Sequence, residues 1–334
     1  MGRREATTSD GLDRATLNGL LASRQPSVRY YALTELLGRP QDDPEVRRAR
    51  SSLSREGWAR DLLATQGPEG FWEAHEPKTL REWVSFLRFP VFQSSVWKGM
   101  VLSDLGLTSE DPRIRKFADR IFQYLLPLSS PLNIFTEEAC IVGNVARMLT
   151  RLGYGDDRRV RKLFDWMLED QRADGGWNCA PGKPGTLDAW EPLSALAAVP
   201  KPKRSAAMER AIDRGLEFYL ERKLFQEGRR YLPWFRFHYP THYYYDVLVG
   251  LEVLTSLGAG GDRRLGPALR LLREKQRSDG WWNLDRVHPD EEPSHPAGRG
   301  PRRVRPLALE KPGERSLWTT LTALRVLHRV QEAS

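Results

Sequence analysis

The chain has 334 residues, 40% of them hydrophobic and 29% charged, which excludes a disordered polymer and leaves either two ordinary domains or one large repetitive one. No apolar run approaches the ~18 residues of a transmembrane helix, and the opening MGRREATTSDG has no apolar segment behind its basic residues, so neither a membrane span nor a secretory signal is expected and the location read from sequence is cytoplasmic. The net charge of +8 comes from 42 Arg against 10 Lys, but runs such as Arg158, Arg159 and Arg161 alternate with acids at helical spacing and read as solvated helix faces, so nucleic acid is not an expected partner.

In chain order, two kinds of helix alternate. One-sided helices are expected at 10–23, 44–65, 111–125, 157–171, 205–223 and 262–276, as where Val160, Leu163, Phe164, Met167 and Leu168 recur on one face. Helices apolar almost all round are expected at 28–38, 93–106, 136–152, 187–199, 242–258 and 316–330, as in Val247-Leu248-Val249-Gly250-Leu251. Glycines 38, 106, 153 and 258 sit where helices should stop, and prolines 44, 112 and 267 where they should start. Six inner and six outer helices predict an all-α, single-domain (α/α)6 toroid spanning 1–334, with a short disordered stretch at about 1–9.

Three segments repeat the form Q-x-x-[DE]-G-x-W, beginning at Gln66, Gln171 and Gln276, each 105 positions after the last. Each closes a one-sided helix and opens a longer connection. These elements resemble the QW repeats of squalene and oxidosqualene cyclases and the related repeats of protein prenyltransferase β-subunits. The segment Gly175-Gly176-Trp177 through Pro181-Gly182-Lys183 is likewise similar to a prenyltransferase G-G-x-x-x-x-P-G-K segment. The resemblance implies a toroid whose hollow binds an isoprenoid or another apolar small molecule. It does not transfer a catalytic set. The D-x-D-D proton donor of the cyclases is missing, and neither Cys140 nor Cys179 lies in the Asp-x-Cys pair with which prenyltransferases bind zinc, so no metal or cofactor is expected. The two cysteines are too few and too far apart in sequence for a disulfide framework. Residues 27–50 also resemble a HEAT-type helical repeat, which keeps a scaffold role open.

Outer-to-inner connections are long and inner-to-outer ones short, so the long loops should share the rim where inner helices begin. Long loops on a rigid scaffold are where binding groups collect, and helix N-termini there favour an anion. Trp83, Trp97, Trp190, Trp234 and Trp318 are candidates to line the hollow, since an aromatic wall suits an apolar chain or a carbocation and equally a stacked sugar. The densest patch, 234–246, adds Phe237, His238, Tyr243 and Tyr245 as wall candidates. Its His242 and Asp246, four apart at a helix start, are read as an acid/base pair. Glu191, one turn into its helix, is a third catalytic candidate. Arg236, Lys183 and the Arg299–Arg305 loop are candidates for an anionic head group, the loop also for peripheral membrane contact. The functional expectation is a terpene-cyclase-like or prenyltransferase-like enzyme using acid/base chemistry. The alternatives are a carbohydrate-active toroid, with Asp246 and Glu191 as facing carboxylates, and a non-catalytic binding or scaffold protein.

Overall fold

The computed structural model describes residues 13–73, 79, 94–124, 138–180, 182–225, 231–241, 244–287 and 307–333. Helices carry all of the regular structure among them, with two isolated bridges, His238 to Arg286 and Asn283 to Arg315. The outer helices are α1 (Arg14–Leu21), α3 (Pro44–Ser52), α4 (Gly57–Ala64), α6 (Pro112–Tyr124), α8 (Arg158–Asp170), α10 (Ala206–Glu221) and α12 (Gly266–Glu274). The inner ones are α2 (Pro26–Tyr31), α5 (Ser95–Asp104), α7 (Ala139–Leu149), α9 (Glu191–Ala198), α11 (Val247–Ser256) and α13 (Leu317–Glu332). The single outer helix expected at 44–65 is two, because the chain turns at 53–56 and Gly57 takes a φ of +64° that an L side chain rarely adopts. Helices α2 and α7 each run on into a π-helical turn, Ala32–Leu36 and Thr150–Tyr154.

The two patterns of apolar residues become two layers. Every residue of α7 is buried, whereas α8 buries only Val160, Leu163, Phe164 and Met167 and turns its charges outward. Neighbouring inner helices pack closely. At Gly143 of α7 an added Cβ would lie 2.5 Å from the Glu191 carbonyl carbon at the start of α9, so only glycine permits this approach. The ring closes between α13 and the first inner helix. There the Arg325 Nε lies 2.8 Å from Glu35 Oε2, and Trp318 meets Tyr31 edge-on at 6.1 Å.

The repeated motif holds these layers together in the same way each time. The indole Nε1 of Trp72, Trp177 and Trp282 donates to the carbonyl ten residues back, of Leu62, Met167 and Leu272, at 2.9, 2.8 and 2.8 Å. These carbonyls belong to the final turns of outer helices, which have no partner within the helix. Gln66 and Gln171 each donate across to the next outer helix, to the carbonyls of Arg113 (3.1 Å) and Ala211 (2.9 Å). All three glutamines also donate to their own glycine carbonyls, of Gly70, Gly175 and Gly280. Gly175 must be glycine twice over, since its φ is +87° and a Cβ would come within 2.4 Å of the Arg214 carbonyl oxygen.

Cys140, in the first turn of α7, and Cys179, in the loop after the second motif, form a disulfide with Cα atoms 6.0 Å apart. Thirty-nine residues of sequence separation hid this pairing. The sequence reading excluded a disulfide framework and did not foresee this single bridge, which forms because the fold returns the loop onto the helix.

Candidate functional site in the central hollow

The hollow runs along the ring axis in two connected chambers. A narrow one of about 80 Å³ is lined near the beginnings of the inner helices by Trp190, His238, Asp246, Val249 and Thr319, and deeper by Arg147. A wider one of about 400 Å³ lies toward the ends of those helices, among Tyr31, Glu35, Ser256 and Arg329. Asp104, Arg151, Ser194, Glu252, Val253, Trp318 and Arg325 border both. Exposed Ser256 and the 40%-exposed Arg151 side chain bring the wider chamber to solvent.

Among the described residues the wider chamber meets solvent on the side of the short connections, while much of the long-loop rim lies outside them. At that rim the protein's own carboxylates occupy the N-termini of three inner helices, α5, α11 and α13. Glu73 accepts from Ser95 N at 2.8 Å. Glu310 accepts from Leu317 N at 2.6 Å and Ser316 Oγ at 2.7 Å, and Asp246 accepts from Val249 N at 2.8 Å. At these three helices the free N–H groups are spent on internal caps rather than left for a ligand anion.

Asp246 caps α11 and is read from the sequence as the partner of His242. Among the described residues, its partner is His238. The Asp246 Oδ2 atom lies 2.7 Å from His238 Nδ1 and accepts from the His238 backbone N–H at 3.0 Å. Both side chains are almost wholly buried. With Nδ1 engaged by the carboxylate, His238 keeps Nε2 without a hydrogen-bond partner, and the ring borders the narrow chamber. His242, Tyr243 and Trp83 lie outside the described residues, as does the 299–305 loop.

Of the expected wall residues, Trp190 and Trp318 border the hollow. Trp318 stacks on Tyr239 at 4.6 Å with 16° between the rings, and Trp190 lies under the Arg147 guanidinium at 5.1 Å. Trp97, Trp234, Phe237 and Tyr245 are buried in the packing behind it rather than among the lining side chains. Trp234 Nε1 donates to Asp188 Oδ1 at 2.7 Å and the Tyr245 hydroxyl to the Leu224 carbonyl at 2.7 Å, so both are tied into the wall. Lys275 sits over the Phe237 ring at 4.9 Å. Arg236 is half-buried and Lys183 exposed, and neither borders either chamber. Glu191 is wholly buried, its two carboxyl oxygens have no hydrogen-bond partner, and burial raises its pKa well above the ordinary carboxylate range. It too is absent from the lining.

Sequence reasoning missed the charged groups of the hollow, namely Asp104, Arg147, Arg151, Glu252, Arg325 and Arg329. The signal was present, since each interrupts or ends an otherwise apolar inner helix. Arg151 and Arg147 approach Asp104, Arg325 and Arg329 pair with Glu35, and Arg329 Nη1 lies 3.0 Å from Glu252 Oε2. Burial lowers the pKa of the Arg147 guanidinium, which nonetheless remains a cation at neutral pH because an arginine starts so high. Among the described residues there is no cluster of three metal-ligating side chains, and no helix is long and apolar enough to cross a membrane. The large apolar side chains left exposed there are Leu37 and Leu232, on separate segments.

No family model matches this chain, and no curated protein matches it. Among solved structures it is similar to the apo type II terpene cyclase MstE from Scytonema, with 16% identity over 96% of this chain and 97% of that one, at a TM-score of 0.47.

Proposed function

We propose that the protein is an enzyme that transfers a proton to or from a small molecule held in the central hollow, with His238 as the exchanging group and Asp246 as its positioning partner. The carrying observation is the free Nε2 of a buried imidazole beside the chamber while Nδ1 is fixed by a carboxylate. That arrangement sets the tautomer: Asp246 accepts from Nδ1–H, which leaves the Nε2 lone pair as a base, and the same carboxylate steadies the imidazolium after the proton is taken. Trp190 and Trp318 offer ring faces, and Leu248, Val249 and Val253 an apolar flank, for a substrate that is only partly polar. The cyclase-like repeats agree with an apolar substrate, isoprenoid or otherwise. The paired-carboxylate reading of a glycosidase is disfavoured, because Asp246 is committed to His238 and its helix cap while Glu191 does not border the hollow.

The test is incubation of the full chain with an apolar small-molecule extract in D2O, followed by mass spectrometry. A compound should be converted by the wild type with uptake of deuterium. Conversion should fall about 10²–10⁴-fold in His238→Gln, and Asp246→Asn should slow it as well. A wild-type chain that retains a co-purified ligand unchanged, or a His238→Gln variant with full turnover, overturns the assignment.

A further inference from the structure

We infer that the molecule held in the hollow is a small carboxylate with an apolar tail, its carboxylate seated on Arg147; this deepens the reading of the hollow as the substrate site. Three arginines of the hollow have a close carboxylate. Arg151 lies against Asp104, Arg325 Nε is 2.8 Å from Glu35, and Arg329 is 3.0 Å from Glu252 and 3.3 Å from Glu35. Arg147 differs. It is only 4% exposed, yet its nearest carboxylate oxygen, Asp104 Oδ1, is 3.9 Å away and is the same atom that Arg151 engages. Its Nε has no hydrogen-bond partner, and one of its terminal nitrogens donates to a neutral amide, Asn144 Oδ1, at 3.2 Å. Nearby Glu191 supplies no hydrogen bond, and its burial favours the neutral acid.

A buried guanidinium so weakly compensated is costly unless an anion completes it. Its planar fork matches a carboxylate, and the Trp190 ring, 5.1 Å from the guanidinium carbon, restricts the plane of that fork. The chambers supply the rest of the shape. The 80 Å³ chamber that contains Arg147 has room for a head group of a few heavy atoms. The 400 Å³ chamber beyond it offers Tyr31, Val253, Ala197 and Trp318 to an apolar tail, between the ion pairs that Glu35, Asp104 and Glu252 make with Arg151, Arg325 and Arg329. His238 borders the same narrow chamber, so the atoms next to the carboxylate would be those within reach of its Nε2.

The experiment is equilibrium binding of 4-phenylbutyrate and of its uncharged amide to the full chain, by calorimetry. The acid should bind at least ten-fold more tightly than the amide. Arg147→Gln should abolish that preference and Arg147→Lys, which keeps the charge but loses the fork, should reduce it at least three-fold, while Arg158→Gln on the outer face leaves it intact. Circular dichroism checks that each variant is folded, and the lysine variant preserves the test should the glutamine variant not fold. Equal binding of acid and amide, no binding of either, an unchanged preference in both Arg147 variants, or inorganic phosphate displacing the acid at lower concentration than acetate does overturns the inference. Because no turnover is involved, a carboxylate can bind as described even if His238 proves inert, and the deuterium experiment decides that separately.

Discussion

Asp246 shows how far a single residue could be read. A short acid in front of a wholly apolar helix announces a cap, and it is one, accepting from Val249 N at 2.8 Å. Its contact with His238 was not readable from helical spacing, since only the folded chain brings the His238 backbone N–H and ring onto one carboxylate oxygen, while His242 lies outside the described residues. Glu191 was recognised as an unusual acid, but its direction was not: it faces the packing between inner helices, without a partner. The folded chain therefore holds that proton to a higher pH than the unfolded chain does, so stability falls as pH rises from the ordinary value of 4.5 toward the raised folded one. Glu191→Gln should stabilise the protein at pH 7–8 and do little at pH 4, where the acid is mostly protonated in both states. Thermal melts at the two pH values would show it, and an equal shift at both would contradict the burial argument.

At the scale of the element, the three motifs were legible in full because their chemistry is local. Each indole N–H and each glutamine's bond to its own glycine acts within ten residues, and Gln66 and Gln171 add one reach to the next outer helix. Replacing Trp177 by the smaller Phe leaves the Met167 carbonyl without its donor and a gap where the wholly buried indole packed, which together should cost about 2–4 kcal/mol in urea unfolding. Trp72→Phe should cost less, since Trp72 is only half-buried and water can reach the Leu62 carbonyl more readily. The reverse order would mean that the indole hydrogen bond is not what the motif contributes. Charged residues on inner helices were harder to interpret, because an arginine in an apolar helix can face a neighbour, the hollow or the mouth, and sequence spacing alone does not say which.

For the whole molecule, closure is the decisive feature. Glu35 near the start of the chain receives Arg325 and Arg329 from its last helix, at 2.8 and 3.3 Å, and Arg325 also lies over the Tyr31 ring at 4.3 Å. Glu35→Gln would leave a buried arginine short of its counterion, which should destabilise the fold by about 1–3 kcal/mol after allowing for the 34% exposure of the glutamate. Lys203→Ala, which breaks an outer pair with Asp156 exposed on both sides, should leave stability almost unchanged. Denaturant titration of the two variants would reveal the contrast, and similar costs would argue that the closing pair is as solvated as the outer one.

The sequence by itself determined the two-layer ring, because the period of apolar residues decides whether a helix is buried on one side or on both, and the 105-residue spacing repeats that decision. The tertiary structure alone decided the site. That the His238 ring meets Asp246, that Arg147 is left short of a carboxylate and that Cys140 meets Cys179 are all contacts that form only when the chain folds. Such contacts depend on the rotation and height of each helix in the ring, and no local pattern of residues encodes those.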